Sequence, residues 1–182
     1  MRIRAKRPRR SAVRAQEKHE RKTDMAVKPI PDGYHSVTPY LTVHDAAGAI
    51  DFYKRAFGAV EVMRMDGPDG KIGHAEIKIG NSHVMLGDEN AAYGAKSAKS
   101  IGGSPVQLMI YVEDVDKVYP KAIAEGGTEV RPLQNQFYGD RSGTLTDPFG
   151  LVWTVSTHVE DVSGEEMGRR AAEYMKKSQQ PA

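Results

Sequence analysis

The stretch GNSHVMLGDE, residues 80–89, decides the fold because it has a counterpart near the other end of the chain. Its Gly-Asn pair predicts a tight turn that leads into a strand of alternating apolar residues. The stretch FGLVWTVSTHVED, residues 149–161, has the same build. The sequence therefore suggests that one structural unit occurs twice.

A constant spacing of 69 residues relates the two halves at three kinds of position. These are a strand end, a helix end and the end of a last strand, as in Val43 with Val112, Gly58 with Gly127 and Leu86 with Val155. Chance can produce one such match, but three with the same spacing indicate an internal repeat. Two copies are too few for a solenoid, so a paired, closed arrangement is favoured.

In each half of the chain, the residue pattern predicts the order strand, helix, strand, strand, strand. In the first half Asp45 is a plausible N-cap for an amphipathic helix that ends at Gly58. In the second half Pro120 is compatible with the predicted helix only near its first turn. An amphipathic segment, GEEMGRRAAEYMKK, follows both halves. The predicted fold class is α+β, with two βαβββ modules and a C-terminal helix.

The two modules form one predicted domain that spans residues 30–160. The chain is expected to divide into a basic disordered tail (1–29), module 1 (34–88), a linker (89–104), module 2 (105–158) and a C-terminal helix and tail (161–182).

Composition excludes several classes of protein. The 182 residues contain no cysteine, so disulfides, thiolate metal sites and thiol catalysis are ruled out. No apolar run approaches the roughly 18 residues of a membrane span. We therefore expect a cytoplasmic protein without a membrane partner.

The N-terminal tail concentrates positive charge. Residues 1–24 hold ten Lys or Arg against three acidic residues, which leaves a net charge of −5 on the rest of the chain. Such a run could contact nucleic-acid phosphates. However, no aromatic residue interrupts it and the body is acidic. This favours a solvated, disordered tail, or translation that begins upstream of a real start at Met25. Nucleic acid is therefore not expected as a partner.

Strand alternation divides each predicted sheet into two faces. The helix-packing face carries apolar residues from strands of both modules, among them Leu41, Trp153 and Val155. The register of the Gly-Asn hairpin puts His74, Glu76, His83 and Met85 on the opposite face. That face also carries Thr38, Tyr40, Gln107, Met109, Tyr111 and Thr154. Its mixed polarity suits a cavity for a small organic ligand, although a dimer contact or a solvent face would have similar composition.

The motifs YLTVHDAAGAIDFYKRAFGA, HAEIKIGNSHVMLGDE and TDPFGLVW resemble the vicinal oxygen chelate superfamily of glyoxalases, bleomycin-resistance proteins and extradiol dioxygenases. The resemblance covers residues 34–158, and FYGDRSGTLTDPFG is most similar to the glyoxalase-like branch named after phosphonate operons. It implies that each module curls into half of a cup, that the ligand lies on the concave face, and that the protein is a homodimer.

The resemblance also implies where a metal would bind. Glyoxalase-like members take His or Glu ligands from positions that correspond here to Thr38, Met85, Gln107 and Thr154. A thioether, an amide and two hydroxyls do not make a Zn²⁺ or Ni²⁺ site, so neither a metal nor another cofactor is expected. His74 and Glu76 could act as a base or as part of an unusual metal site, or could simply be a hydrogen-bonded polar pair.

Two functions remain open at this point. The first is metal-independent binding of a small amphipathic or aromatic molecule by Thr38, Tyr40, Met85, Gln107, Met109, Tyr111, Tyr138, Arg141 and Thr154. For Arg141, pairing with an anionic ligand and an ordinary Asp-Arg turn are both possible. The second is a lyase or isomerase with His74 and Glu76 as catalytic residues. The missing ligand set favours binding, and whether the protein is an enzyme stays open.

Overall fold

The computed structural model describes residues 27–178. These fall into two units, residues 27–32 and residues 33–178, and everything below concerns the second. The basic tail predicted for residues 1–24 lies outside the described part of the chain.

Module 1 has the expected βαβββ order. Its elements are β1 (Tyr40–Val43), α1 (Ala46–Phe57), β2 (Val60–Asp66), β3 (Ile72–Ile79) and β4 (Ser82–Asp88). The Asp45 carboxylate accepts a hydrogen bond from the Gly48 amide at 2.9 Å and starts α1. Gly58 ends it in the left-handed region, at φ 69°. Both predicted caps of this helix are therefore confirmed.

Module 2 repeats that order after a linker that contains a 3₁₀ turn (Ala91–Tyr93) and α2 (Ala98–Ile101). Its elements are β5 (Gln107–Tyr111), α3 (Val115–Ala124), β6 (Thr128–Asn135), β7 (Asp140–Thr146) and β8 (Val152–His158). The expectation for Pro120 is wrong, because it lies in the middle of α3 rather than in its first turn. The last helix, α4, spans Gly164–Ser178.

The strands form two four-stranded mixed sheets, in the orders β1-β4-β3-β2 and β5-β8-β7-β6. The predicted repeat is confirmed by the pairing of the parallel strands. Tyr40 lies opposite Met85 in the first sheet, and Met109 lies opposite Thr154 in the second, so both members of the pair are displaced by 69 residues. The predicted hairpin register is also confirmed, with Glu76 opposite Met85.

One hydrophobic core contains the helix-packing faces of both sheets. The predicted inner strand residues are buried or packed against it, and Trp153 is only 1% exposed. Tyr53 of α1 reaches the second module, where its ring lies 5.3 Å from that of Trp153. Because this core occupies the helix side, the opposite face of each sheet is left for a site. No helix between residues 27 and 178 is long and apolar enough to cross a membrane.

Candidate functional site

The non-helix face of module 2 carries a cavity of about 700 Å³, which we call the module 2 pocket. Aromatic residues from the β6–β7 turn and from α4 form one wall of it, namely Phe137, Tyr138 and Tyr174. Phe137 contacts both of the others, with ring centroids 5.3 Å from Tyr138 and 5.2 Å from Tyr174. The C-terminal helix therefore contributes one side of the pocket through Tyr174.

A hydrogen-bonded row of side chains lies across the sheet side of the pocket. Gln107 donates through its amide nitrogen to the Thr154 hydroxyl, which lies 3.0 Å from the Thr144 hydroxyl. All three residues line the pocket, together with Met109. Gln107, Met109, Tyr138 and Thr154, which were predicted as ligand-binding residues, therefore lie around one cavity.

The other polar residues that line the module 2 pocket are two glutamines, a serine and an arginine, namely Gln134, Gln136, Ser142 and Arg131. Among residues 27–178, no aspartate or glutamate lines it. These described residues thus combine aromatic rings with hydrogen-bonding groups and one formal positive charge. The pocket has the mixed lining that is usual for sites of small organic ligands.

A second cavity, the intermodule cleft, has a volume of about 630 Å³. It lies where the segment before β1 and the β3–β4 hairpin face β5 and Trp153. Thr38, Met109 and Tyr111 line it. His83 also lines it, and its Nδ1 is the one buried side-chain polar atom among the described residues without a hydrogen-bond partner.

The non-helix face of module 1 carries a polar cluster around Glu76, which is 8% exposed. Tyr34 donates a hydrogen bond to its Oε2, and His74 Nε2 lies 3.3 Å from its Oε1. The other ring nitrogen of His74 lies 3.2 Å from the Tyr40 hydroxyl, and His83 Nδ1 lies 3.8 Å from Glu76 Oε2. The predicted neighbours His74 and Glu76 do meet, and the sequence analysis missed Tyr34 as their partner.

The hydrogen bond from Tyr34 has opposite effects on its two partners. It holds the pKa of Glu76 below its usual value, and this effect outweighs the partial burial that would raise it. The same contact raises the pKa of the Tyr34 hydroxyl. Glu76 is therefore an ionised acceptor at neutral pH, whereas general bases work best with a pKa near the working pH.

A further carboxylate cluster lies at the end of module 2 and was not predicted as a unit. Asp140 is 3% exposed and accepts hydrogen bonds from Tyr111 at 2.9 Å and Ser156 at 3.0 Å. His158 Nδ1 lies 2.8 Å from its other oxygen. Burial alone would raise the pKa of Asp140, but these hydrogen bonds lower it. The β7–β8 register, with Asp140 opposite His158, brings the cluster together.

The remaining predicted residues lie elsewhere. Arg141 forms a bidentate pair with Asp116 of α3, at 2.7–3.0 Å, and lines neither cavity. Tyr40 contacts His74 on module 1. Met85 also lies on module 1, opposite Glu76, and lines neither cavity.

The four positions that correspond to metal ligands in glyoxalase-like proteins do not fit a metal ion. Thr38 lines the intermodule cleft, whereas Gln107 and Thr154 line the module 2 pocket and are bonded to each other. None of these side chains is a carboxylate or an imidazole. Within residues 27–178 no three His, Asp or Glu side chains are grouped so that they could hold a metal ion.

Residues 33–155 match the family described as the Glyoxalase/Bleomycin resistance protein/Dioxygenase superfamily. The match covers more than half of the chain, and the two βαβββ modules have the corresponding fold. The chain therefore belongs to this superfamily, as the sequence motifs predicted.

Relatives share most of the chain. Protein Rv0887c of Mycobacterium tuberculosis is 41% identical over 161 residues, which are 86% of this chain and 92% of the relative. The crystal structure of TioX from Micromonospora sp. ML1 is similar with a TM-score of 0.54 and 26% identity, over 71% of this chain and all of that one. The structure of the Arabidopsis thaliana protein At5g48480 also has a TM-score of 0.54, at 24% identity, over 67% of this chain and 98% of that one.

Proposed function

We propose that the protein binds a small amphipathic or aromatic molecule in the module 2 pocket, without a metal ion. The observation that carries the proposal is the lining of this pocket. An aromatic wall faces a hydrogen-bonded row of amide and hydroxyl groups across about 700 Å³. Aromatic rings provide apolar contact area at a low cost in conformational entropy, and the polar row would orient the ligand.

The chemistry of the module 1 cluster argues against catalysis and so favours the binding proposal. Glu76 and His74 are in contact, which is the observation that favours the second candidate, a glyoxalase-like lyase or isomerase. Glu76, however, accepts a hydrogen bond from Tyr34 and has a lowered pKa, which makes it a weak base. Isomerisation of the methylglyoxal–glutathione adduct, if abolished by Glu76→Gln, would support the second candidate instead.

The binding proposal can be tested with N-phenyl-1-naphthylamine, a neutral aromatic probe that fluoresces in apolar surroundings. We expect saturable binding to the wild-type protein. Tyr138→Ala removes part of the aromatic wall and should weaken binding by about 1–3 kcal/mol, from lost apolar contact.

Tyr40→Ala is the matched control for this test. It removes the same side chain from module 1, where Tyr40 is 54% exposed and lies outside the module 2 pocket. Its affinity for the probe should stay within about twofold of wild type, because surface substitutions away from a site have small effects. Equal effects of the two substitutions, or no saturable binding, would contradict the proposal.

Two expectations from the sequence are part of the same proposal. The protein is proposed to act in the cytoplasm, and to be a homodimer as the superfamily resemblance implies. Light scattering on the purified full-length chain measures the second expectation directly, and a monomer at working concentration would refute it.

A further inference from the structure

We propose that the ligand of the module 2 pocket is an anion, and that Arg131 holds its acidic group. This inference rests on the proposed function and adds the chemical class of the ligand: an amphipathic molecule with an aromatic or apolar body and a carboxylate, sulfonate or phosphate group.

The first observation is that Arg131 differs from the other arginines of the described chain. Five of the six arginines between residues 27 and 178 form ion pairs with carboxylates, namely Arg55, Arg64, Arg141, Arg169 and Arg170. Arg131 forms no such pair with any described residue, and it is the arginine that lines the module 2 pocket. Its positive charge is therefore available to a ligand.

The second observation is the absence of competing charge around it. No acidic side chain from the described part of the chain lines the pocket. Glu129, the acidic residue nearest in sequence on the same strand, accepts a hydrogen bond from Tyr119 of α3 at 3.1 Å, on the helix side of the sheet. An anion in the pocket would therefore meet a guanidinium without an adjacent carboxylate.

The third observation is the local backbone of β6. Its register against β7 shifts on both sides of Arg131, and such irregularities bend a strand and re-aim its side chains. Arg131 lies opposite Thr144, which itself lines the pocket. The irregular strand thus keeps this long cationic side chain on the pocket face.

The chemistry of the guanidinium decides the kind of ligand. Its planar fork matches carboxylate, sulfonate and phosphate groups through paired hydrogen bonds. Charge–charge attraction is also stronger beside apolar surface than in open water. The aromatic wall would take the body of the same molecule, so one ligand can satisfy both features of the pocket.

Two fluorescent probes that differ by one acidic group test the inference. 1-Anilinonaphthalene-8-sulfonate has the aromatic frame of N-phenyl-1-naphthylamine and an added sulfonate. The wild-type protein should bind the sulfonate probe about tenfold more tightly than the neutral one, because charge-assisted hydrogen bonds are the stronger kind. This preference should decrease as salt screens the charges.

Arg131→Met should remove the preference for the sulfonate probe, because the variant lacks the positive charge while it keeps much of the apolar stem. Arg131→Lys should keep part of the preference for the sulfonate probe, because lysine retains the positive charge but not the planar guanidinium that forms paired hydrogen bonds. Arg55→Met is the control, because it removes a positive charge whose ion pair with Glu125 lies outside the pocket lining. It should leave the preference unchanged.

The outcomes separate the two proposals. If both probes bind equally and Arg131→Met changes neither affinity, the anion inference is wrong while the binding proposal stands. If the preference persists in Arg131→Met, another group recognises the acid and the inference is also wrong. If neither probe binds to the wild-type protein, both proposals fail.

Discussion

At the scale of the residue, one buried carboxylate in each module accepts the hydrogen bonds of the surrounding polar side chains. Glu76 gathers Tyr34 and His74 in module 1, and Asp140 gathers Tyr111 and His158 in module 2. Each carboxylate has a lowered pKa, because the hydrogen bonds that it accepts favour its ionised form over the effect of burial. Both carboxylates should therefore stay ionised at neutral pH.

The pair of Asp140 and His158 predicts a pH-dependent contribution to stability. Hydrogen bonds to Asp140 and Asp161 raise the pKa of His158 above its ordinary value of 6.5. A raised pKa in the folded state stabilises the fold fully below the unfolded pKa and loses this effect as the pH rises through the folded pKa. The contribution should therefore be present in mildly acidic solution and absent in alkaline solution.

Thermal unfolding of His158→Gln against wild type measures this contribution. The difference in Tm should be larger below about pH 6 than above about pH 8. Asp140 has a lowered pKa and remains ionised across that range, so its own titration does not interfere. A Tm difference independent of pH would show that His158 does not act as a charged partner.

Contacts between elements explain how α4 becomes a wall of the module 2 pocket. Arg170 donates to the Phe137 carbonyl at 3.4 Å and pairs with Glu160 at 2.7 Å. The Gly139 carbonyl, in the same β6–β7 turn, accepts hydrogen bonds from Val159 at 2.9 Å and from Glu160 at 3.0 Å. The turn and the connection to α4 are thus fixed to each other.

Gly139→Ala should disrupt this connection. Gly139 has φ 97°, and a Cβ there would overlap with the carbonyl oxygen of Glu160. Backbone strain and the overlap together should lower the free energy of unfolding, measured in urea, by about 2–4 kcal/mol.

Gly58→Ala separates the two causes, because Gly58 has φ 69° but open space where the alanine methyl group would lie. This control should cost only about 1–2 kcal/mol, the penalty of the left-handed conformation alone. Equal losses of unfolding free energy in the two variants would show that the overlap with Glu160 adds no cost of its own.

At the scale of the whole molecule, Asp147 couples the two modules. It is buried in the β7–β8 turn and accepts hydrogen bonds from Tyr53 of α1 at 2.8 Å and from Trp153 of β8 at 2.9 Å. Burial, followed by the charge of Asp147, raises the pKa of the Tyr53 hydroxyl well above its usual value. The aromatic core and this carboxylate therefore join α1 to the second sheet.

This coupling predicts a single cooperative unfolding transition. Trp153 is the only tryptophan, so its fluorescence reports module 2, whereas far-UV circular dichroism reports both modules. The two signals should coincide in urea. Asp147→Ala should shift both transitions together by about 3 kcal/mol or more, since it leaves four buried donors unpaired, namely Tyr53, Trp153 and the backbone amides of Phe149 and Leu151. A dichroism transition that precedes the fluorescence transition would mean that the modules unfold independently.

The sequence by itself determined the repeated fold, because local signals repeat along the chain. Asp45 and Gly58 bound α1, the Gly-Asn turn sets the hairpin register, and the 69-residue spacing holds in both parallel strand pairs. The position of Leu41, Trp153 and the other inner residues, in the core or packed against it, follows from strict strand alternation. The lack of metal ligands at the expected positions also follows from residue identity alone.

Only the tertiary structure decided how side chains distant in sequence combine. It pairs Arg141 with Asp116 and places Tyr34 on Glu76. It also leaves Arg131 without an ion pair to any residue of the described range 27–178, in a pocket that α4 helps to line. Side-chain alternation specifies the face of a strand but not which long side chain from another element reaches it. That choice depends on the packing of α3 and α4 and on the irregular backbone of β6, and neither leaves a periodic signal in the sequence.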